Sequence, residues 1–442
     1  MENGVGKMKI KLTILLVLFL CLTGCGKKVE NESQEKVLIL ASFDSSTSLK
    51  KQVNRFNQEN LDYKIEIKEY VRSEHPQEDG ILLLQREIVS GEGPDLIDFG
   101  RNYAVSDIVG EYTEDLLEYF GEEEKQDCFE NIINAFSYKG KLYALPMGFL
   151  METFVGKKQN LEGYSSWSIE EMLECYQKQE NKRILYPGAF KADVLGTLLS
   201  GSMDYYIDWE SGECYFDGKD FYKVLKFCNQ FPQRLEIEEE FSVKQTFLDD
   251  KALLLPMSIQ TVYDICKVEH IFGNQEISII GFPTEGICGT MAQPAGSVLA
   301  INQNSMYKEE AWEFIQYCFS ESCQEELSSG FPIRRSVLEK QLEQAQKIEY
   351  ETAEDGMQKL VPKHQIIFEG EEPIDIYCIT EEQRKCLLYL IEDVEMSSQI
   401  ETKIYNIFLE EVDAYFIGEK SLEETVDVIQ SRVSVYVNEK IR

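Results

Sequence analysis

Between Val37 and Phe99 strand and helix signals alternate, and that order leaves the chain few architectures. Val37 to Phe43 is a run of apolar residues broken only by Ser42, as expected of a strand buried on both faces. Leu49, Val53 and Phe56 follow at i, i+4 and i+7, the inward stripe of an amphipathic helix. Ile65 and Ile67 alternate with Lys64, Glu66 and Lys68 in a second strand. Ile81, Leu84 and Ile88 mark a second helix, stopped by Gly91-Glu92-Gly93-Pro94, and Asp95 to Phe99 reads as a third strand. A β-α-β-α-β start of this kind assembles as a parallel sheet with right-handed crossovers, so the fold class is α/β. The far end is helical. Ile404, Ile407, Phe408, Val412 and Tyr415 form one stripe, Gly418 breaks it, and Ser421 with Glu424 sets a capping box. Leu422, Val426, Ile429 and Val433 form the next stripe.

The N-terminus carries a different instruction. Lys7, Lys9 and Lys11 precede Leu12 to Leu22, which is apolar except for Thr13 and ends in Leu22-Thr23-Gly24-Cys25. A charged region, a short apolar region and small residues at a cleavage point make a secretory signal. As a helix the apolar part spans about 16 Å against a hydrocarbon core of about 30 Å, too short for a comfortable membrane span. The Leu-Thr-Gly-Cys end resembles a bacterial lipobox, which implies removal of residues 1–24 and lipidation of Cys25. Residues 25–35 are polar and charged, a flexible tether.

Removing residues 1–24, with three Lys and one Glu, from a chain of 44 basic and 79 acidic residues leaves a charge of −37 on 418 residues. Such a surface excludes nucleic acid as a partner, because phosphate needs basic side chains to neutralise it. It also excludes electrostatic adhesion to anionic lipid, so attachment must come from the acyl chains. Hydrophobic residues make up 43% of the chain, which is enough for globular cores, and the length suits two large domains. Ten cysteines besides Cys21 and Cys25 show no disulfide-scaffold spacing and read as buried free thiols. The histidines His75, His270 and His364 lie near neither a cysteine nor each other, so no zinc signature exists and no metal or cofactor is expected.

Six further segments fall in one family's order. They are Gly91-Glu92-Gly93-Pro94-Asp95-Leu96-Ile97; Lys139-Gly140-Lys141-Leu142-Tyr143-Ala144-Leu145-Pro146; Lys251 to Met257; Gly281-Phe282-Pro283 with Gly296 to Ile301; Glu310 to Ile315; and Gly330-Phe331-Pro332-Ile333-Arg334-Arg335-Ser336. Together they resemble extracellular solute-binding protein family 1, the sugar-type receptors of ABC importers that include maltose-binding protein. The resemblance implies a periplasmic-binding-protein-like fold of type II, with two discontinuous lobes, a hinge and a cleft between them. The expected lobes are residues 36–147 with 288–355, and 148–287 with 356–442. It also implies a monomer on the extracytoplasmic face of the cell membrane, held by lipid, handing a sugar or oligosaccharide to an ABC permease. Where many sugar binders carry a tryptophan after the strand ending here at Met257, this chain has Ser258, Ile259 and Gln260, which speaks against a maltodextrin-like ligand.

Ligands of open α/β sheets lie off the carboxyl ends of the strands. That rule selects Phe43 and Asp44 after the first strand, and Arg101, Asn102 and Tyr103 after the third. The first crossing between lobes adds Phe149 and Glu152. The loop after Leu255 adds Ser258, Gln260 and Tyr263, while Gly296 and Ser297 sit where backbone could approach a ligand. Asp95 is expected to fix its own turn. Tyr206 to Phe216 reads as a hairpin turning at Ser211-Gly212, its aromatics buried rather than forming a sugar platform. Two rivals share the composition: a surface hydrolase working through a carboxylate pair, and a solute sensor for a membrane kinase. No Gly-x-Ser-x-Gly or His-Glu-x-x-His motif supports the hydrolase.

Overall fold

The computed structural model describes residues 36–43, 46–70, 76–100, 109–179, 184–235, 242–273, 275–284, 286–352, 356–368, 371–397 and 402–441. The signal segment, the lipobox with Cys25 and the tether lie outside them.

The N-terminal alternation folds as read. Strands β1 (Lys36–Ser42), β2 (Tyr63–Glu69) and β3 (Leu96–Asp98) are parallel, in the order β2-β1-β3. Leu38 and Leu40 of β1 are fully buried, as are Leu96 and Ile97 of β3. The helix Thr47–Glu59 starts where the Ser46 hydroxyl accepts the Leu49 N–H, and it turns Leu49, Val53 and Phe56 onto the sheet. Burying each of these side chains contributes on the order of 1.5–3 kcal/mol. Asn57 of the same helix donates to the Ile65 carbonyl and accepts the Ile65 N–H, which satisfies the outer edge of β2. Asp95 accepts the Ile39 N–H and the Ser305 hydroxyl, pinning its turn to β1 and to the segment before the helix Lys308–Cys318.

Two long strands carry this sheet onward. Strand β4 runs thirteen residues from Leu145 to Lys157, about 40 Å at strand rise. Strands β5 (Leu254–Ile259) and β6 (Ile277–Ile279) both pair with its far end, and β7 (Met291–Ile301) returns antiparallel beside it to reach β3. β8 (Phe331–Pro332) joins β4 at Gly148 and Phe149, and the short strand Met396–Ser397 runs parallel to β7. The first crossing therefore starts at Leu145. Lys139 and Gly140, which open the motif segment ahead of it, form a left-handed turn with φ of 51° and 74°.

Buried side chains fall into two clusters. The larger is built on β1–β3 and the near half of β4 and β7, and also takes Phe247, the helix Asp264–Phe272 and Leu387 to Val394. The second is built on Phe154, Trp167, the helices Lys191–Ser200 and Lys219–Cys228, and both C-terminal helices. Its C-terminal part follows the sequence stripes: Ile404, Phe408, Val426, Ile429 and Val433 are fully buried, and the Ser421–Glu424 capping box forms. The hairpin forms, with Ile207 bridging Cys214, Gly212 at φ 78°, and Tyr206 stacked on Phe216 inside the core, but its aromatics are not all buried as expected: Tyr215 is exposed and Trp209 half-buried. All ten cysteines among the described residues are free, and seven are buried. Cys318 and Cys323 sit on two successive helices.

Candidate functional site

Strand parity decides what the crossing strands offer to solvent. In an antiparallel pair directly opposed residues share a face, and successive residues alternate. Glu152 opposes Ser258 on β5 and Met291 on β7, while Leu150 opposes Gln293. Leu150, Glu152, Gln293, Ser258 and Gln260 therefore lie on one face, together with Met291, which is fully buried at the start of β7. Phe149, Met151, Met257, Ile259 and Ala292 lie on the other, and all five are buried in the first core.

The first face changes character along its length. Phe154 and Leu254 are covered by the second core, where the Phe154 ring lies 4.7 Å from that of Phe282. Beyond them the covering stops. Leu150, Glu152, Gln293 and Gln260 are half-buried, and Pro256 and Ser258 are exposed. A polar strip thus lies open where the sheet passes from one core to the other.

Hydrogen bonds fix this strip. The Gln293 amide donates to Glu152 Oε2 at 2.6 Å. Gln260 donates to the Ser258 hydroxyl at 3.1 Å and accepts the Ser329 hydroxyl at 3.0 Å. The Gln260 and Thr261 N–H groups both donate to Asp264, the first residue of the helix that follows. Burial pushes the Glu152 carboxyl above the usual range, and the Gln293 amide only partly opposes it. Tyr263, the residue before that helix, stacks on His364 with centroids 5.1 Å apart and planes 5° apart.

The second part of the site stands at the carboxyl ends of β1 and β3. Asp98 is completely buried there. Its Oδ1 accepts the Val298 and Gly100 N–H groups at 2.9 and 3.1 Å, and Ser42 and Ser297 hydroxyls lie 3.4 Å from Oδ2. Burial raises its pKa to about 6 despite these donors. One residue before Ser297, Gly296 is exposed at φ 75°, and a side chain there would meet nothing nearer than 4.0 Å. Backbone is open to a ligand at that point.

The expected site residues divide accordingly. Glu152, Ser258, Gln260 and Gly296 face open space along the crossing strands. Ser258 belongs to β5 rather than to the loop after it, since the strand continues to Ile259. Phe149 sits on the opposite face, fully buried between Phe129 and Phe331 at centroid distances of 6.2 and 5.7 Å. Phe43 is buried against Tyr70 and packs the first core instead of presenting its ring to solvent. Asp44, Arg101, Asn102 and Tyr103 lie outside the described residues. Sequence reasoning passed over Asp98, Gln293 and Ser329. Asp98 had a signal, a lone acid inside the apolar strand Leu96 to Phe99.

Among the described residues no group of three or more His, Cys, Asp or Glu could hold a metal ion. The strip offers acceptors, amides and backbone for hydrogen bonding, with apolar Leu150 and Pro256 beside them. Such groups can hydrogen-bond the hydroxyls of a polar solute.

Comparison with known proteins supplies the family. The description "bacterial extracellular solute-binding protein" matches residues 51–350. The chain belongs to that family. The fold is α/β and periplasmic-binding-protein-like, and two sugar-binding structures are similar to it throughout. One is a periplasmic oligogalacturonide-binding protein from Yersinia enterocolitica, 12% identical, covering 92% of this chain and 100% of that one at a TM-score of 0.56. Another is the sugar-binding protein MalE from Xanthomonas citri, 14% identical, covering 91% and 98% at 0.55. A structure titled as a de novo designed esterase is also similar, 13% identical, covering 92% and 100% at 0.55. At such identities the likeness establishes the fold. No curated protein matches the chain. Membership places the protein outside the cytoplasm, and no described helix is long and apolar enough to cross a membrane.

Proposed function

We propose that the protein captures a small solute, a sugar or oligosaccharide, between two lobes and delivers it unchanged to an ABC permease. The observation that carries this reading is the open polar strip Glu152–Gln293–Ser258–Gln260, set on the strands that join the two cores. Crossing strands are the natural floor of a cleft that closes when a ligand touches both walls. The lobes follow residues 36–147 with 288–355, and 148–287 with 356–442, except that Phe247, the helix Asp264–Phe272 and Leu387 to Val394 pack on the first core. Gly296, Glu152, Ser258 and Gln260 contact the solute, and Asp44, Arg101, Asn102 and Tyr103 are further ligand-binding candidates from the sequence. A dissociation constant in the micromolar range, about −8 kcal/mol, retains a scarce solute yet permits release.

The protein works as a monomer, tethered through residues 25–35 to lipidated Cys25 on the outer face of the membrane. Cys25→Ala leaves folding intact and moves the protein from the membrane fraction to the soluble one. An alanine variant that stays membrane-bound after a salt wash rejects the anchor.

A thermal-shift screen of sugars, amino acids, peptides and polyamines tests the solute class. A saturable rise in melting temperature with one or more carbohydrates is expected. Silence from every carbohydrate, with a shift from another class, rejects the sugar reading.

A further inference from the structure

Glu152 lacks the charged or multiple partners that most sheltered carboxylates of this protein have; Asp193, which accepts only the Tyr186 hydroxyl at 2.7 Å, shares that lack but sits on the helix Lys191–Ser200 of the second core rather than on the crossing strands. Asp250 is paired with Lys157 at 3.2 Å, Asp127 with Arg334 at 2.7 Å, and Glu411 with both Lys420 and Arg432 at 2.6 Å. Asp98 is ringed by four donors. Glu152 accepts a single hydrogen bond, from the neutral amide of Gln293, and no cation reaches it among the described residues. Its neighbours on the same face, Leu150, Ser258, Gln260 and Gln293, are all uncharged.

A half-buried carboxylate left this way costs free energy, and a cation placed on it recovers that cost. The sheltered position is also where charge acts most strongly, because little water intervenes to screen it. An anionic solute would meet repulsion from Glu152 in a chain whose formal charge is already −35. The flanking groups have a second requirement. Ser258 and the amides of Gln260 and Gln293 suit hydroxyl groups, and Leu150 with Pro256 suits the C–H face of a ring.

We propose that the solute is a cationic amino sugar, bound with its free ammonium on Glu152 and its hydroxyls on the neighbouring amides and hydroxyls. This deepens the solute-binding reading and rests on it.

Isothermal titration of the lipid-free mature protein with a glucosamine tetramer, its fully N-acetylated counterpart and a tetragalacturonate tests the charge directly. The glucosamine tetramer is expected to bind at least about 30-fold tighter than the acetylated one, the lower end for a sheltered charge pair, with the uronate weakest. Glu152→Gln preserves the shape and the contact with Gln293. It is expected to erase that preference while leaving the melting temperature of the empty protein no lower. Equal or tighter binding of the acetylated or uronate tetramer overturns the charge assignment and leaves the sugar reading standing. So does a preference that survives in Glu152→Gln. No binding of any of the three, with a thermal shift from a non-carbohydrate solute, overturns the sugar reading itself.

Discussion

Asp98 is the side chain whose surroundings have the clearest consequence for stability. Its folded pKa, about 6, stands above the ordinary Asp value of 3.8 because the carboxylate has left water. Between those two values the folded protein holds a proton that the unfolded chain has released. Stability from this group is therefore full below about pH 4 and falls as pH rises to about 6, by roughly 2–3 kcal/mol. In Asp98→Asn the oxygen still accepts the Val298 and Gly100 N–H groups, and the new amide donates to the Ser42 and Ser297 hydroxyls. Denaturant melts from pH 4 to 8 should show the variant more stable at pH 7 and flatter across that interval. An Asp98→Asn protein that is less stable at pH 7 contradicts the account. Parity also works at this scale. Phe149 and Glu152 are three apart on one strand, so no regular strand turns both to the same side. The bulge of β4 lies at Pro146–Gly148, ahead of both, and leaves that alternation intact. Sequence alone could have forced the choice between them; burial then settled it for Glu152.

At the scale of elements, the turn at Gly330 holds the crossing strands together. Its N–H donates to the Gln260 carbonyl at the end of β5, and its φ is 83°. A Cβ there would come within 2.4 Å of the Ala295 side chain and 2.8 Å of the Phe149 carbonyl oxygen. Gly330→Ala should cost roughly 2–4 kcal/mol, from the left-handed backbone and the overpacking together. Thermal unfolding measures it, and a loss under about 1 kcal/mol, the low end of overpacking costs, would show that the turn relaxes freely. Local elements were legible because their signals are local. The stripes Leu49-Val53-Phe56 and Leu422-Val426-Ile429-Val433, and the Ser421–Glu424 box, depend on residues close together in the chain. The pairing of β4 with β5 and β7 depends on residues about a hundred or more positions apart, and no periodicity encodes that register. Gln293 was missed for this reason, since its place beside Glu152 exists only once β7 has paired. Ser329 likewise reaches Gln260 through a contact spanning 69 positions.

For the whole molecule, the family match over residues 51–350 and the two buried cores joined by crossing strands describe a receptor architecture. The ordered short motifs made that architecture readable from sequence, from Gly93-Pro94-Asp95 to Gly330-Phe331-Pro332. The identity of the solute was less accessible, because it depends on which side chains share one face of a sheet assembled from distant segments. Solution X-ray scattering of the lipid-free mature protein, with and without the carbohydrate found by thermal shift, tests the central claim of capture between lobes. Saturating solute is predicted to lower the radius of gyration and to leave a compact single-particle profile, as the lobes close over the polar strip. A solute that binds at full stoichiometry while the scattering curve stays unchanged would contradict it.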